Sequence, residues 1–177
     1  PKVRAVAGDV GLGKTRAWRE RVAAKLVAMG LPGVLSVPRH RLGDEVVADL
    51  ANSGIEGRVW RGREADDPDA PGEKMCREPE RVELVMKARL SVQSHACFSQ
   101  SGECPSFNVC GYQRQQCHSP DVWIVAHQLL FHPKPESFPW PAAVAIDESF
   151  WNSALQGLQP TVKVWLRSLR ETRYVPR

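Results

Sequence analysis

The feature that most constrains this chain is a glycine-rich segment near its start. Residues 8–15 read Gly-Asp-Val-Gly-Leu-Gly-Lys-Thr and match the pattern G-x-x-x-x-G-K-(S/T) at every fixed position. The segment follows the short apolar run of residues 3–7 and overlaps residues 14–29, whose apolar side chains recur at helical spacing. A buried strand, a tight loop and a helix in this order predict the first unit of an α/β fold.

The residue types of this segment suit one kind of ligand. Glycines allow the backbone to curl so that its N–H groups point at phosphate oxygens. Lys14 is expected to reach the β and γ phosphates, and the hydroxyl of Thr15 to bind Mg²⁺. We therefore predict that ATP and Mg²⁺ bind at Gly8, Gly11, Gly13, Lys14 and Thr15. The alternative is a glycine-rich turn that contains Gly-Lys-Thr by chance.

The rest of the chain alternates between strand and helix patterns, without an internal repeat. Apolar runs bounded by turn residues predict further strands at residues 34–37, 121–126 and 142–146. Helical spacing of apolar residues predicts helices at residues 43–51, 80–92 and 161–173. Together these patterns favour an α/β fold in which helices flank a parallel sheet, and with the glycine-rich motif they predict a P-loop NTPase over residues 1–177.

A second nucleotide motif follows the last predicted strand. Residues 143–148 read Ala-Val-Ala-Ile-Asp-Glu, so two carboxylates come directly after a buried apolar run. In an NTPase site, Asp147 would bind Mg²⁺ through water and Glu148 would act in catalysis by activating the attacking water. Taken alone, the same pair also fits a helix N-cap followed by an acidic first turn.

Residues 65–120 differ in composition and are predicted to be a cysteine-rich insertion. Residues 66–72 are acidic and turn-rich, which indicates a solvated loop, and residues 94–119 have no hydrophobic period. Four of the chain's 5 cysteines fall between residues 97 and 117, and we expect a metal or cluster site there. Four thiolates complete a tetrahedral Zn²⁺ site or hold an iron–sulfur cluster.

The cysteine spacing leaves the ligand set open. By itself it favours the compact set Cys97, Cys104, Cys110 and Cys117. It does not match the paired C-x2-C pattern of a zinc ribbon. His95 and His118 stand next to cysteines and are possible zinc ligands, although five reduced structural cysteines are also an alternative.

Charge and hydropathy exclude some classes of protein. The net charge of +4 is compatible with a polyanionic partner, but is too small for a tail that binds nucleic acid by charge alone. No segment approaches the ~18 consecutive apolar residues of a membrane span, and the first residues lack the pattern of a secretory signal. These features predict a soluble, cytoplasmic protein.

The order of the motifs resembles the first motor domain of superfamily 2 DNA helicases. It is closest to the DinG/XPD-like group, which carries an iron–sulfur module between the two nucleotide motifs. Residues 37–42, Val-Pro-Arg-His-Arg-Leu, stand where those helicases have a loop that contacts the DNA backbone. Residues 122–130 resemble the strand and (N/A)H-x-L-L segment before their DEAH box. Here that box reads Asp-Glu-Ser-Phe at residues 147–150, without the final histidine.

The resemblance spans most of the chain and implies a function. It implies an ATP-hydrolysing motor domain of a DNA helicase or translocase, which would need a second RecA-like domain or a partner chain for full activity. For the cluster, [4Fe-4S] or Zn²⁺, it nominates Cys76, Cys97, Cys104 and Cys110 and leaves Cys117 spare. The alternatives are a replication or packaging ATPase with a zinc-binding insertion, and a metal-stabilised nucleic-acid-binding module with a vestigial ATP site.

Overall fold

The computed structural model describes residues 13–99, 102–132, 134, 135 and 137–147. The strand expected at residues 3–7 and the helix expected at residues 161–173 lie outside these ranges. So do three of the predicted nucleotide-site residues, Gly8, Gly11 and Glu148.

Four parallel strands form the main sheet. The strands are β1 (Gly33–Val37), β2 (Gly57–Trp60), β3 (Phe98–Ser99), β4 (Gly102–Glu103), β5 (Val122–Ala126) and β6 (Ala143–Ile146). The main sheet has the order β2-β5-β1-β6, and β3 pairs with β4 in a separate antiparallel ribbon. In the main sheet, Val37 lies opposite Ala126 and Ser36 lies opposite Ile146. The carboxyl ends of β5, β1 and β6 therefore meet at one edge, where α/β proteins usually bind ligands.

Helices connect and cover these strands. The helices are α1 (Lys14–Trp18), α2 (Ala24–Ala28), α3 (His40–Ala51), α4 (Pro79–Lys87) and α5 (Gly111–Gln115). A π-helical turn over Arg19–Ala23 joins α1 to α2, so that the chain is helical from residue 14 to residue 28. Among the described helices, none has the length and apolar character that a bilayer span needs.

The sheet has an apolar core on each face. Successive residues of a strand point to opposite faces. Leu35 and Val37 accordingly pack with Val46 and Leu50 of α3 on one face. On the other face, the core consists of Val34, Trp60, Trp123, Val125 and Phe138. Because both faces of the sheet are covered, every residue of β1 is buried. Its sequence is therefore a short, mostly apolar run and does not alternate between apolar and polar residues.

The predicted α/β class is confirmed, since a parallel sheet is flanked by helices. One strand was missed and the bounds of two helices were wrong. The missed strand is β2, whose four residues begin with a glycine and lie at the sheet edge. Helix α3 begins at His40 rather than at residue 43. Helix α4 ends at Lys87, and Arg89 follows with a positive φ of 56°, which stops the helix before residue 92.

The described residues between β2 and β5 contribute no strand to the main sheet. This segment contains α4, the β3–β4 ribbon, short helical turns and α5, and it has a small apolar cluster of its own around Cys76, Val82 and Ala96. Few apolar side chains take part in this cluster. The segment therefore depends on polar and thiol groups for much of its structure.

Candidate functional site

The described end of the glycine-rich loop has the backbone that the motif requires. Gly13 has a φ of 68°, which lies in the left-handed region that favours glycine. Lys14 is the first residue of α1, and the N–H of Ala17 donates to the carbonyl of Gly13 at 2.8 Å. The first N–H groups of a helix have no carbonyl partner within that helix, so the start of α1 is a place where an anion is favoured.

The two predicted nucleotide motifs meet at this point. The hydroxyl of Thr15 donates a hydrogen bond of 2.6 Å to Oδ2 of Asp147, which is 132 residues away in the chain. Asp147 is the first residue after β6, and its N–H donates to the carbonyl of Ser36 in β1 at 2.9 Å. A hydroxyl and a carboxylate at this separation present two oxygen ligands to one small volume. Oxygen ligands are the type that Mg²⁺ prefers.

A buried polar pair lies at the same end of β1. Oγ of Ser36 and Nδ1 of His127 are 2.8 Å apart, and both residues are almost fully buried. His127 is the first residue after β5, so it stands at the same sheet edge as Asp147. His127 belongs to residues 122–130, one of the segments that carry the helicase resemblance, whereas Ser36 was not predicted from the sequence. The only sequence signal for Ser36 is one polar residue within an apolar strand.

The basic stretch at residues 39–41 lies just beyond the carboxyl end of β1. Arg39 and Arg41 are exposed, whereas His40 is half-buried in the first turn of α3. Burial lowers the pKa of His40, and the positive charge of Arg61 acts in the same direction, while Asp44 opposes them. Neutral His40 contributes no charge toward a phosphate backbone, so the two arginines carry the charge of this stretch.

Four of the five cysteines line one small cavity. The cavity has a volume of about 10 Å³, and its lining includes Cys76, Cys97, Cys104 and Cys110. Cys117 is exposed at the end of α5, and its thiol lies 3.8 Å from the carbonyl of Gln113. The cavity thus contains the ligand set that the family resemblance nominated and not the compact set. Neither His95 nor His118 lines it.

Backbone hydrogen bonds hold the four cysteines in place. The N–H of Cys104 donates to the carbonyl of Cys97 at 2.9 Å, across the β3–β4 ribbon. The N–H of Cys76 donates to the carbonyl of Arg63 at 2.9 Å. Cys110 lies at the start of α5, and its thiol is 3.4 Å from the carbonyl of Met75. Three separate stretches of chain therefore converge on one cavity.

The environment of the Cys76 thiol favours its protonated form. Burial raises the pKa of the Cys76 thiol, and its neighbours Cys110 and Cys97 act in the same direction. Within the described part of the chain, no set of three or more His, Cys, Asp or Glu side chains has an arrangement that could hold a metal ion. Metal ligation would therefore require the thiols to lose protons and turn toward a common point.

An arginine lies against the cysteine cavity. The guanidinium of Arg63 is 3.9 Å from the ring centre of Tyr112, and its Nη2 is 4.0 Å from Sγ of Cys97. Its charge lowers the pKa of the Cys76 thiol, against the larger effect of burial. Arg63 would favour thiolates over thiols here, as a cation beside a cysteine does in general.

The structure corrects one prediction about residues 66–72, which were expected to form a solvated loop. The side chain of Asp67 is fully buried and accepts hydrogen bonds from Arg77 at 2.8 Å and from Arg114 at 2.9 Å. Burial alone would raise the pKa of Asp67, but the N–H of Asp69 and the charges of Arg114 and Arg77 outweigh it and hold that pKa below its ordinary value. Two arginines offset the cost of burying this carboxylate.

Replacing Asp67 by alanine is expected to lower the free energy of unfolding by ~3 kcal/mol, because the buried guanidinium of Arg77 loses its nearer carboxylate and keeps the longer 3.8 Å contact with Glu73. The lowered pKa of Asp67 means that its contribution is present at neutral pH and is lost as the pH falls through the folded-state pKa. Urea unfolding at pH 7 would measure the loss. Asp66→Ala is the matched control, because Asp66 pairs with Lys74 at the surface and is 85% exposed. Equal effects of the two substitutions would contradict the prediction.

A cavity larger than the one at the cysteines lies away from both candidate sites. It has a volume of about 350 Å³ and runs along β2, between α3 and α5. None of Thr15, Asp147 and the four clustered cysteines lines it. Its charged side chains pair with one another, as Arg61 does with Asp44 at 2.6 Å. Cavity size therefore does not identify the chemically distinctive part of this molecule.

The tryptophans have packing roles where the structure describes them, with one exception. Trp60 and Trp123 are core residues whose ring centres are 5.2 Å apart in an edge-to-face arrangement. Trp140 is 83% exposed, so it is available for stacking. Trp151 and Trp165 lie outside the described residues.

Comparison with known proteins adds no family to this geometry. No protein-family model, no curated protein and no solved structure matches the chain.

Proposed function

We propose that this chain is the ATP-binding and ATP-hydrolysing motor domain of a DNA helicase or translocase, with a P-loop, RecA-like fold. The observation that supports it best is the 2.6 Å contact between Thr15 and Asp147. The two residues belong to separate motifs and are 132 residues apart in the chain. A chance Gly-Lys-Thr turn gives no reason for its threonine to meet the acidic residue of the second motif.

The chain's own groups would have separate roles in ATP binding and hydrolysis. The N–H groups at the start of α1 and the ammonium of Lys14 would bind the phosphates. Thr15 and Asp147 would hold Mg²⁺, which supplies charge neutralisation at the phosphate oxygens. Glu148 follows Asp147 directly in the sequence, and would orient the attacking water and accept its proton.

For residues 65–120 we propose a cysteine-ligated site held by Cys76, Cys97, Cys104 and Cys110. Support comes from the chemistry of the donor set, since four thiols reach one cavity from three stretches of chain. The family resemblance favours a [4Fe-4S] cluster, which would order a segment with few apolar residues. Zn²⁺ is a second candidate, because a cavity of about 10 Å³ has room for about one water-sized particle.

The nucleotide proposal is tested by titrating the chain with ATP in a calorimeter, with Mg²⁺ and with EDTA. We expect binding that is tighter with Mg²⁺ and a rise in melting temperature with ATP concentration. Hydrolysis by the isolated chain should be slow, because motors of this class need an arginine from a second domain or partner. Absence of any ATP binding by the folded chain would contradict the proposal and favour the vestigial site.

The type of metal site is tested by the colour of protein purified without oxygen. Absorption at about 400 nm would identify an iron–sulfur cluster, and a colourless protein with one zinc per chain would identify Zn²⁺. The zinc result would favour the replication or packaging ATPase with a zinc-binding insertion over the helicase.

Replacing Glu148 by glutamine should separate binding from hydrolysis. The amide still orients water but cannot accept its proton, so we expect ATP affinity within about twofold of the parent. The single-turnover rate should fall by ~100-fold or more, the usual contribution of a general base. Phosphate release after rapid mixing would measure this rate. Glu20→Gln is the matched control, because Glu20 pairs with Arg16 on the surface. An unchanged rate in Glu148→Gln would place the base elsewhere.

A further inference from the structure

We infer that Ser36 and His127 are positioning residues for Asp147. This inference rests on the proposed function, because it concerns the metal-binding carboxylate of the same site. Ser36 uses its backbone carbonyl and its hydroxyl at once. Its carbonyl accepts from the N–H of Asp147 at 2.9 Å, and its hydroxyl lies 2.8 Å from Nδ1 of His127.

The place of Ser36 in the sheet explains how the Ser36–His127 pair can act on Asp147. β1 lies between β5 and β6, and Ser36 is the residue opposite Ile146 at the end of β6. A single residue of the central strand thus joins the residue after β5 to the residue after β6. Thr15 then completes a chain of contacts that runs from His127 through Ser36 and Asp147 to the start of α1.

Packing alone would not select a polar pair at this position. The neighbours of Ser36 in β1 are Leu35 and Val37, both buried, and Ser36 itself is 0% exposed. A buried hydroxyl or imidazole destabilises the fold unless it is hydrogen-bonded, and an apolar pair of similar shape would avoid that cost. The gain from the polar pair is directional, because a hydrogen bond of 2.8 Å fixes the end of β1 against the end of β5.

The position of Ser36 also affects the candidate metal site. Asp147 begins where the ladder between β1 and β6 ends, so its backbone follows the position of the Ser36 carbonyl. A shift of Ser36 would move the Asp147 carboxylate relative to Thr15. Groups that orient a metal ligand without touching the metal commonly change metal affinity by 10–100-fold when they are replaced, so we expect an effect of ~10-fold here.

The test measures metal binding separately from nucleotide binding. Mn²⁺ replaces Mg²⁺, and its EPR signal reports the Mn²⁺ affinity of the ATP-bound chain, while ADP titration in EDTA reports nucleotide affinity without metal. We expect Ser36→Ala and His127→Leu each to weaken Mn²⁺ by ~10-fold and to leave ADP affinity in EDTA unchanged. The double variant should be no weaker than either single one, because both break the same contact. His127→Asn keeps a nitrogen near the Nδ1 position and should restore most of the Mn²⁺ affinity.

Ser94→Ala is the control, because that hydroxyl contacts Ser91 on the exposed surface of the cysteine-rich segment. If Ser36→Ala fails to fold, the two His127 variants still make the comparison. Parent-like Mn²⁺ affinity in folded Ser36→Ala or His127→Leu would overturn the inference. So would an equal loss of ADP affinity in EDTA, since that indicates a merely structural role. A parent that binds no Mn²⁺ with ATP would contradict the proposed function itself.

Discussion

The Lys14→Ala variant is expected to lose ATP binding while keeping the fold. The lysine is the first residue of α1, beside Gly13, whose backbone conformation does not depend on the lysine side chain. Removing a charge-assisted hydrogen bond to phosphate costs up to ~3 kcal/mol, so we expect the ATP dissociation constant to rise by about 100-fold. Calorimetric titration with Mg²⁺ present would measure the change.

Lys25→Ala is the matched control for that variant. Lys25 is an exposed lysine of the same helical run, three residues before its end. It should bind ATP as the parent does, and both variants should melt near the parent's temperature in the absence of nucleotide. Equal ATP affinities of Lys14→Ala and the parent would remove the nucleotide site from residues 8–15. A collapse of the melting temperature in Lys14→Ala would show that the side chain has a structural role instead.

The nucleotide site was predictable from sequence because its chemistry is local. A phosphate loop needs glycines, a lysine and a hydroxyl at fixed spacing, so Gly13, Lys14 and Thr15 are visible as a motif. Asp147 is visible for a similar reason, since it follows an apolar strand directly. The distance between Thr15 and Asp147 was not predictable, because it depends on the order of the strands in the sheet.

Features that depend on long-range packing were missed. Asp67 stands in an acidic, turn-rich stretch and has the sequence signature of solvated loop, yet two arginines from later in the chain bury it. Gly111 shows the same dependence, because a Cβ atom there would lie 2.4 Å from the Asp67 carboxylate. Likewise β2 has only four residues and derives its position from pairing with β5. Local composition does not report any of these contacts.

The cysteine site could be predicted from the sequence only in part. Their number and crowding indicated a metal or cluster site, but spacing alone favoured the compact set that ends at Cys117. Cys76 lines the common cavity. Its N–H donates a hydrogen bond to the carbonyl of Arg63, which lies on the other side of the acidic loop in the sequence. Spacing cannot show that a distant loop brings a cysteine to this cavity. The family resemblance had nominated Cys76, and its role as a metal ligand stays a prediction.

The largest expected effect in this segment is the loss of bound metal from Cys104→Ser and Cys110→Ser. Each variant removes one thiolate from a set of four around one cavity, and an open coordination shell releases its metal. We expect metal content per chain to fall close to zero in both. The freed segment should become sensitive to protease between about residues 76 and 117, since metal binding and ordering are coupled.

Cys117→Ser is the matched control, because Cys117 is exposed and does not line the cavity. It should retain the parent's metal content and protease resistance, whereas Cys76→Ser should behave like Cys104→Ser. The reverse result, in which Cys117→Ser strips the metal and Cys76→Ser keeps it, would establish the compact ligand set. A parent purified without oxygen or chelator that holds no metal, yet resists protease through this segment, would contradict both sets. Burial of the thiols, the buried Asp67 and the Arg63–Tyr112 contact would then order the segment without metal.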